Sequence, residues 1–206
     1  MKFSPGSISV LLAAAFLAAG CASVGEKTKF YTLSVPSEPG EKGSYRGHSV
    51  TPMATPVFID VMPVTVPERL ARPQLVIRIR DQETQLLILE HARWSSHFNY
   101  ELRDAFAAAI AEKAGAQNQI RGSRAAGPPV YRIAIELSQF DATVGGRVNA
   151  RFDWTITHST SAHGVACYST ISEVAGGSIE SLVKGIQHAV ATAAERIAEN
   201  VIELNG

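Results

Sequence analysis

The sequence predicts an α+β fold: a single domain with a mostly antiparallel or mixed sheet of about six or seven strands and two long helices packed on one face. Three observations predict it. Several segments alternate apolar and polar residues with period two, most cleanly 147–157, where Val148, Ala150, Phe152, Trp154 and Ile156 oppose Asn149, Arg151, Asp153 and Thr155. Alternation of that kind belongs to a sheet with one wet face, whereas strands of a fully covered parallel sheet run continuously apolar. Two other segments change to a spacing of three and four residues, which is the helical period. The chain has 206 residues and no internal repeat, a length that fits one domain.

In chain order, Lys2 precedes an almost wholly apolar run from Ile8 to Ala19. A charged start before about 12 apolar residues is the pattern of a signal peptide. A membrane-crossing helix needs about 20 such residues, and this run stops short. It ends in Leu17-Ala18-Ala19-Gly20-Cys21, which resembles a bacterial lipobox. Small residues before the cysteine suit a narrow peptidase site, and the Cys21 thiol can become a thioether to diacylglycerol. Residues 1–20 are therefore expected to be a signal peptide, 21–27 a lipidated tether, and 28–206 the periplasmic α+β domain. Two or three acyl chains on one cysteine make a stable anchor, where one chain is marginal.

Within the domain, 28–35 reads as a strand. Residues 36–56 are rich in Pro, Gly and Ser and read as a flexible loop. Strands resume at 57–66, 74–80 and 84–90, the last two forming a hairpin around Asp81-Gln82-Glu83. Segment 94–116 places Phe98, Leu102, Ala105, Phe106, Ala109 and Ile110 on a helical stripe, with Ser95 or Ser96 as its cap. Residues 117–129 form a polar loop. Strands at 130–140, 147–157 and 164–175 follow, with Gly145-Gly146 at a turn. The second helix covers 178–204, with Ser178 as its N-cap and Glu180 in the first turn, where the helix dipole favours an acid.

Composition narrows the function. The 19 Lys and Arg balance the 19 Asp and Glu, so no basic surface for nucleic acid is expected. Two cysteines make neither a disulfide scaffold nor a cysteine-rich zinc site. With Cys21 acylated, Cys167 is a lone thiol in an apolar strand, where cysteine usually packs as a small hydrophobe. No G-x-S-x-G elbow, phosphate loop or H-E-x-x-H occurs. His158 and His163 flank one turn, but strong further ligands are lacking between them. Asp141 and Asp153 read as turn and solvent-face residues. Arg69, Arg72, Arg78 and Arg80 are interspersed with Glu68, Asp81 and Glu83, as on an internally paired surface. The chain reads as a non-enzyme that needs no metal or cofactor.

Several segments together resemble a known family. They are the lipobox, the Phe30-Tyr31-Thr32-Leu33 strand, the Val66-to-Arg78 stretch V-P-E-R-L-A-R-P-Q-L-V-I-R, and Ala92-Arg93-Trp94 before a long helix. This combination resembles the ABC-type transport auxiliary lipoproteins, the PqiC-type family, across about residues 30–204. Family members commonly follow the tryptophan with an acid, a proline and a leucine. This chain has Ser95-Ser96-His97-Phe98 instead, so any contact made by that acid is in question.

The resemblance implies an outer-membrane lipoprotein facing the periplasm. It would be the accessory subunit of an MCE-type (mammalian-cell-entry-like) system that moves lipid between the two membranes. Its implied partners are an MCE-domain tube protein and the inner-membrane transport subunits, and a homo-oligomer is compatible with such a partner. Implied contact residues are Tyr31, Leu33, Pro67, Leu70, Arg72, Pro73 and Trp94. The alternative is a structural or regulatory lipoprotein that activates a cell-wall enzyme, with the 36–56 stretch supplying reach.

Overall fold

The period-two segments at 130–174 become three consecutive long strands, and these carry the larger of two sheets. The structure is a computed structural model, and it describes residues 26–34, 57–80, 82, 84–118, 130–160 and 164–205. The signal segment, Cys21, the 36–56 loop and the turn holding His163 lie outside the described residues.

The elements are β1 (Lys29–Tyr31), β2 (Phe58–Val61), a 3-10 turn at Glu68–Leu70, β3 (Gln74–Arg78) and β4 (Leu86–Trp94). Then come α1 (Phe98–Ala114), β5 (Gln117–Asn118), β6 (Val130–Ala142), β7 (Arg147–His158), β8 (Gly164–Val174) and α2 (Ile179–Asn205). The predicted α+β class holds, but the described strands number eight and divide into two mixed sheets. One has the order β1-β4-β3 and the other β5-β2-β6-β7-β8. The two nearly meet where β3 passes β6, through a single bridge between Arg78 and Thr143. An Arg78–Asp141 ion pair, Nε to Oδ1 2.6 Å, spans the same place.

Register follows the alternation. β6 and β7 pair antiparallel with Ile133 opposite Ile156 and Ile135 opposite Trp154, so the apolar sets coincide on one face. The β6–β7 turn uses Gly145 at φ 69°, a left-handed conformation that a side chain would strain. β2 lies parallel to β6, which makes the sheet mixed. Pro63 ends the regular strand early, although Thr65 still exchanges backbone hydrogen bonds with Ile135 and Leu137.

Both helices cover the inner face of the large sheet. The α2 stripe buries Leu182, Val183, Ile186, Val190, Ala193, Ile197 and Val201. On α1, Phe98, Leu102, Ala105, Phe106 and Ile110 are buried, and Phe106 meets Phe152 edge to face at 5.1 Å. α1 stops at Gly115, whose φ of 60° closes the last turn with its amide on the carbonyls of Ala111 and Glu112. Ser178 caps α2 as expected, its hydroxyl receiving the Ser181 amide at 3.1 Å.

Several boundaries differ from the sequence reading: the first two strands are shorter, and the expected 117–129 loop opens with β5, whose residues pair with β2. β4 continues past Glu90 to Trp94, because β1 pairs along its last three residues. α1 begins at Phe98, with His97 in the cap position and without a side-chain cap bond. Ser95 and Ser96 are not caps: their hydroxyls are taken by the Glu101 carboxylate.

Candidate functional site

β1 is only three residues long, and an isolated strand of that length has little to hold it. What fixes it is a set of polar side chains from both helices. Phe98, Leu102 and Ala105 face the core, and position 101 falls on the same stripe, so the helix carries a carboxylate inward. Glu101 is 5% exposed. Its Oε1 accepts the Ser95 hydroxyl at 2.6 Å, the Ser96 amide at 3.0 Å and the Ser96 hydroxyl at 3.0 Å. Its Oε2 accepts the Thr32 hydroxyl at 2.8 Å and the Leu33 amide at 3.0 Å. Five donors therefore satisfy one buried carboxylate, as burial of a charge demands.

Burial by itself would push the Glu101 carboxyl up. The hydrogen bonds from Ser95, the Leu33 amide, Thr32 and Ser96 outweigh it and hold the group below its ordinary value. A second carboxylate grips the strand from α2. The Glu180 side chain accepts Tyr31 Oη at 3.1 Å and Lys29 Nζ at 3.3 Å. Its own backbone amide, then Lys29 and Tyr31, lower its pKa to about 2. Gln187 of α2 donates to the Thr32 carbonyl at 3.1 Å, and the Ser95 amide donates to the Tyr31 carbonyl at 2.8 Å. The segment nearest the expected tether is thus clamped to both helices.

The other residues singled out from the sequence sit beside this clamp. Trp94 stacks on Phe98 with ring centroids 4.9 Å apart, and Phe98 meets Phe140 at 5.6 Å. Leu33, Leu70 and Trp94 are 2%, 5% and 4% exposed, so they are core members with almost no surface for a partner. Tyr31, Pro67, Arg72 and Pro73 are half-buried. The Pro67–Leu70 stretch closes a 3-10 turn, with the Leu70 amide on the Pro67 carbonyl at 2.8 Å. The Trp94 amide donates to the Pro73 carbonyl at 2.6 Å, which ties that stretch to the clamp. Arg72 Nε is buried and has no hydrogen-bond partner among the described residues.

Glu101, the centre of the clamp, belongs to no motif of the sequence. Its signal was present: an acid three residues after Phe98 and one before Leu102 cannot face solvent on that helix. A carboxylate does reach the segment after Trp94, but it comes from the first turn of α1.

The remaining chemistry is dispersed. Asp141 pairs with Arg78, and Asp153 lies between Arg151 and Ser138 with no histidine beside it. His158 packs on Tyr131 and shares a hydrogen bond with Thr160. Cys167 is half-buried opposite Trp154. Among the described residues, no three His, Cys, Asp or Glu side chains are grouped as a metal would need. Between helices and sheet, the space beside Trp94, Phe98 and Leu182 is about 10 Å³, far below an acyl chain. A larger open groove of about 430 Å³ crosses the outer face of β6–β8, floored by Ala134, Glu136, Asp153, Thr155 and Ala166. No described helix is long and apolar enough to cross a membrane.

Comparison with known proteins matches this arrangement. A solved structure of an uncharacterized protein superposes with a TM-score of 0.62 at 18% identity, covering 85% of this chain and 99% of that one. Protein XCC0632 from Xanthomonas campestris superposes with a TM-score of 0.56 at 14% identity, covering 84% and 95%. At these identities the likeness concerns the fold. No curated protein matches the sequence. The family model described as "ABC-type transport auxiliary lipoprotein component" matches residues 31–198, from the clamped strand to the last turns of α2. The chain belongs to that lipoprotein family.

Proposed function

We propose that this protein is an outer-membrane lipoprotein, acylated at Cys21 and facing the periplasm, that serves as a non-enzymatic accessory subunit of an MCE/ABC-type system for intermembrane lipid transport. The observation that carries the reading is the clamp on residues 29–33, combined with family membership. A domain tethered by its N-terminus transmits force and position through the first residues that are fixed to its body. Here Glu101, Glu180 and Gln187 fix them from both helices. The closely packed interior, without room for an acyl chain beside Trp94, fits a part that holds or receives a partner better than one that carries lipid inside itself.

No phosphate-binding loop occurs in the sequence, so a transport cycle would draw its energy from another subunit. The half-buried rim of Pro67, Arg72 and Pro73 is the proposed contact for the tube protein.

The test is crosslinking in cells followed by mass spectrometry of what co-purifies with the lipidated protein. Radiolabelled palmitate incorporation, lost in Cys21→Ala, checks the anchor independently. Recovery of an MCE-domain protein supports the transport reading. Recovery of a cell-wall synthase with no MCE-domain protein sinks it and favours the regulatory alternative.

A further inference from the structure

The three-stranded sheet turns one face to the core and the other outward. Leu75 and Ile77 are 1% and 8% exposed and mark the inner face. The residues between them in β3 point away: Gln74, Val76 and Arg78. Pairing extends that outer face across the sheet. Ile88 lies opposite Val76, Leu86 opposite Arg78, Arg93 opposite Gln74, and Phe30 opposite Arg93. The outer face therefore carries Phe30, Ile88 and Leu86, which are 67%, 40% and 39% exposed.

The direction of β1 and the length of chain between it and Cys21 argue for what covers it. β1 runs parallel to β4 with Lys29 opposite Ala92. Followed backwards from Lys29, the strand direction points along β4 toward Leu86. Eight peptide steps separate Lys29 from Cys21, and a fully extended chain covers at most about 29 Å in that distance. Ala92 to Leu86 is about 20 Å at strand rise, and less with the irregular register between Leu89 and Arg93. A lipid anchored at Cys21 therefore holds the bilayer surface within a leash comparable to the length of this face.

We propose that the outer face of the β1-β4-β3 sheet lies on the lipid surface that holds Cys21, with Phe30, Leu86 and Ile88 entering the headgroup boundary. The inference rests on the proposed acylation. Its composition suits that depth: aliphatic and aromatic side chains enter the apolar edge, while the Arg78 and Arg93 stems lie flat with their charged ends among headgroups. Both arginines have carboxylate partners, Asp141 and Glu90, so the contact is chiefly apolar and only weakly dependent on salt. The anchor alone leaves the domain free to tumble on its tether. This second contact gives it one orientation, with the helices that cover the inner face of that sheet on the side away from the membrane.

The experiment places single tryptophans in the full-length lipidated protein, reconstituted in vesicles of phosphatidylethanolamine and phosphatidylglycerol with brominated acyl chains. Ile88→Trp and Phe30→Trp are expected to lose fluorescence and shift to the blue relative to unbrominated vesicles. Lys184→Trp, exposed on α2 on the other side of that sheet, is expected to do neither. The background from Trp94 and Trp154 is read from the unsubstituted protein. Vesicle flotation reports the anchor separately. A protein that floats while Ile88→Trp and Phe30→Trp stay unquenched overturns this inference and leaves the acylation intact. A blue shift without quenching means that protein covers the face, either a second copy or another part of this chain, and also overturns it. A chain that does not float removes both readings. As a second measure, Phe30→Ser/Ile88→Ser in an unlipidated Cys21→Ser background is expected to bind the same vesicles roughly tenfold more weakly than Cys21→Ser alone. Unchanged binding overturns the proposal.

Discussion

The two sheets of this molecule are held by different physics. β6, β7 and β8 follow one another as antiparallel strands and bury a continuous apolar face under both helices. Their contacts are local in sequence, and their stability comes from area removed from water. The β1-β4-β3 sheet joins the local β3–β4 hairpin to β1, a strand some sixty residues earlier in the chain. Its first strand pairs over three residues and is fixed by side chains from α1 and α2. The first kind of region fails as a whole. The second fails locally, because its bonds involve only a few groups that a single change can remove. For a protein hung by its N-terminus, the tethered strand is thus the region most open to loosening without loss of the fold.

The largest effect is expected in the large sheet. Phe152 is 1% exposed and meets Phe106 edge to face. Phe152→Ala should cost about 3–5 kcal/mol of global stability, read by urea denaturation with all probes moving together. If β1 loosened while β6–β8 kept their protection, the contrast between the sheets would be broken.

Glu101→Ala comes next. It strands three hydroxyl or amide groups near Ser95 and Ser96 and two near Thr32 and Leu33, at a cost of about 2–4 kcal/mol. Hydrogen exchange should accelerate at the Leu33 amide well before it does at Ile133 or Ile156. Equal acceleration everywhere would show that the clamp belongs to the global core.

Acid should act in the same place. The Glu101 carboxyl is held below its ordinary value of 4.5, so the folded state favours the ionised form. Its contribution is complete above 4.5 and disappears as pH falls through the lower folded value. Glu180, with a pKa of about 2, releases its partners only near that pH. Proteolysis near residue 34 should therefore increase below pH 4.5 in the wild type and be already high in Glu101→Ala. A pH-independent cleavage rate would remove the carboxylate from the explanation.

The smallest effect is expected for Tyr31→Phe, which removes one hydrogen bond to an exposed carboxylate. The melting temperature should be unchanged within error, with a small rise in exchange confined to residues 29–33. A global shift would mean that Tyr31 is held by more than Glu180.

Much of the large sheet could be read from residue order. The alternation of β6 and β7 named the buried face residue by residue, and the α2 stripe from Leu182 to Val201 is buried as its spacing requires. Gly145-Gly146 marked the turn between them. The smaller sheet was harder. The end of β4 looked like the approach to a helix, because its last residues, Ala92-Arg93-Trp94, are in strand form through pairing with β1, some sixty residues earlier in the chain. Serines before a helix normally cap it, yet here Ser95 and Ser96 serve a carboxylate.

The sequence alone determined the secondary structure wherever side-chain period and burial agree, because that preference is local: period two or three to four decides which face can leave water. It also carried the lipobox-like Leu17-to-Cys21 string and the motifs of the lipoprotein family. Tertiary structure alone decided that the strands divide into two sheets, that Leu33, Leu70 and Trp94 go to the core, and that Glu101 becomes the buried centre of the clamp. A carboxylate's five partners, drawn from residues 32, 33, 95 and 96, are brought together only by the folded chain, and no local pattern encodes that meeting.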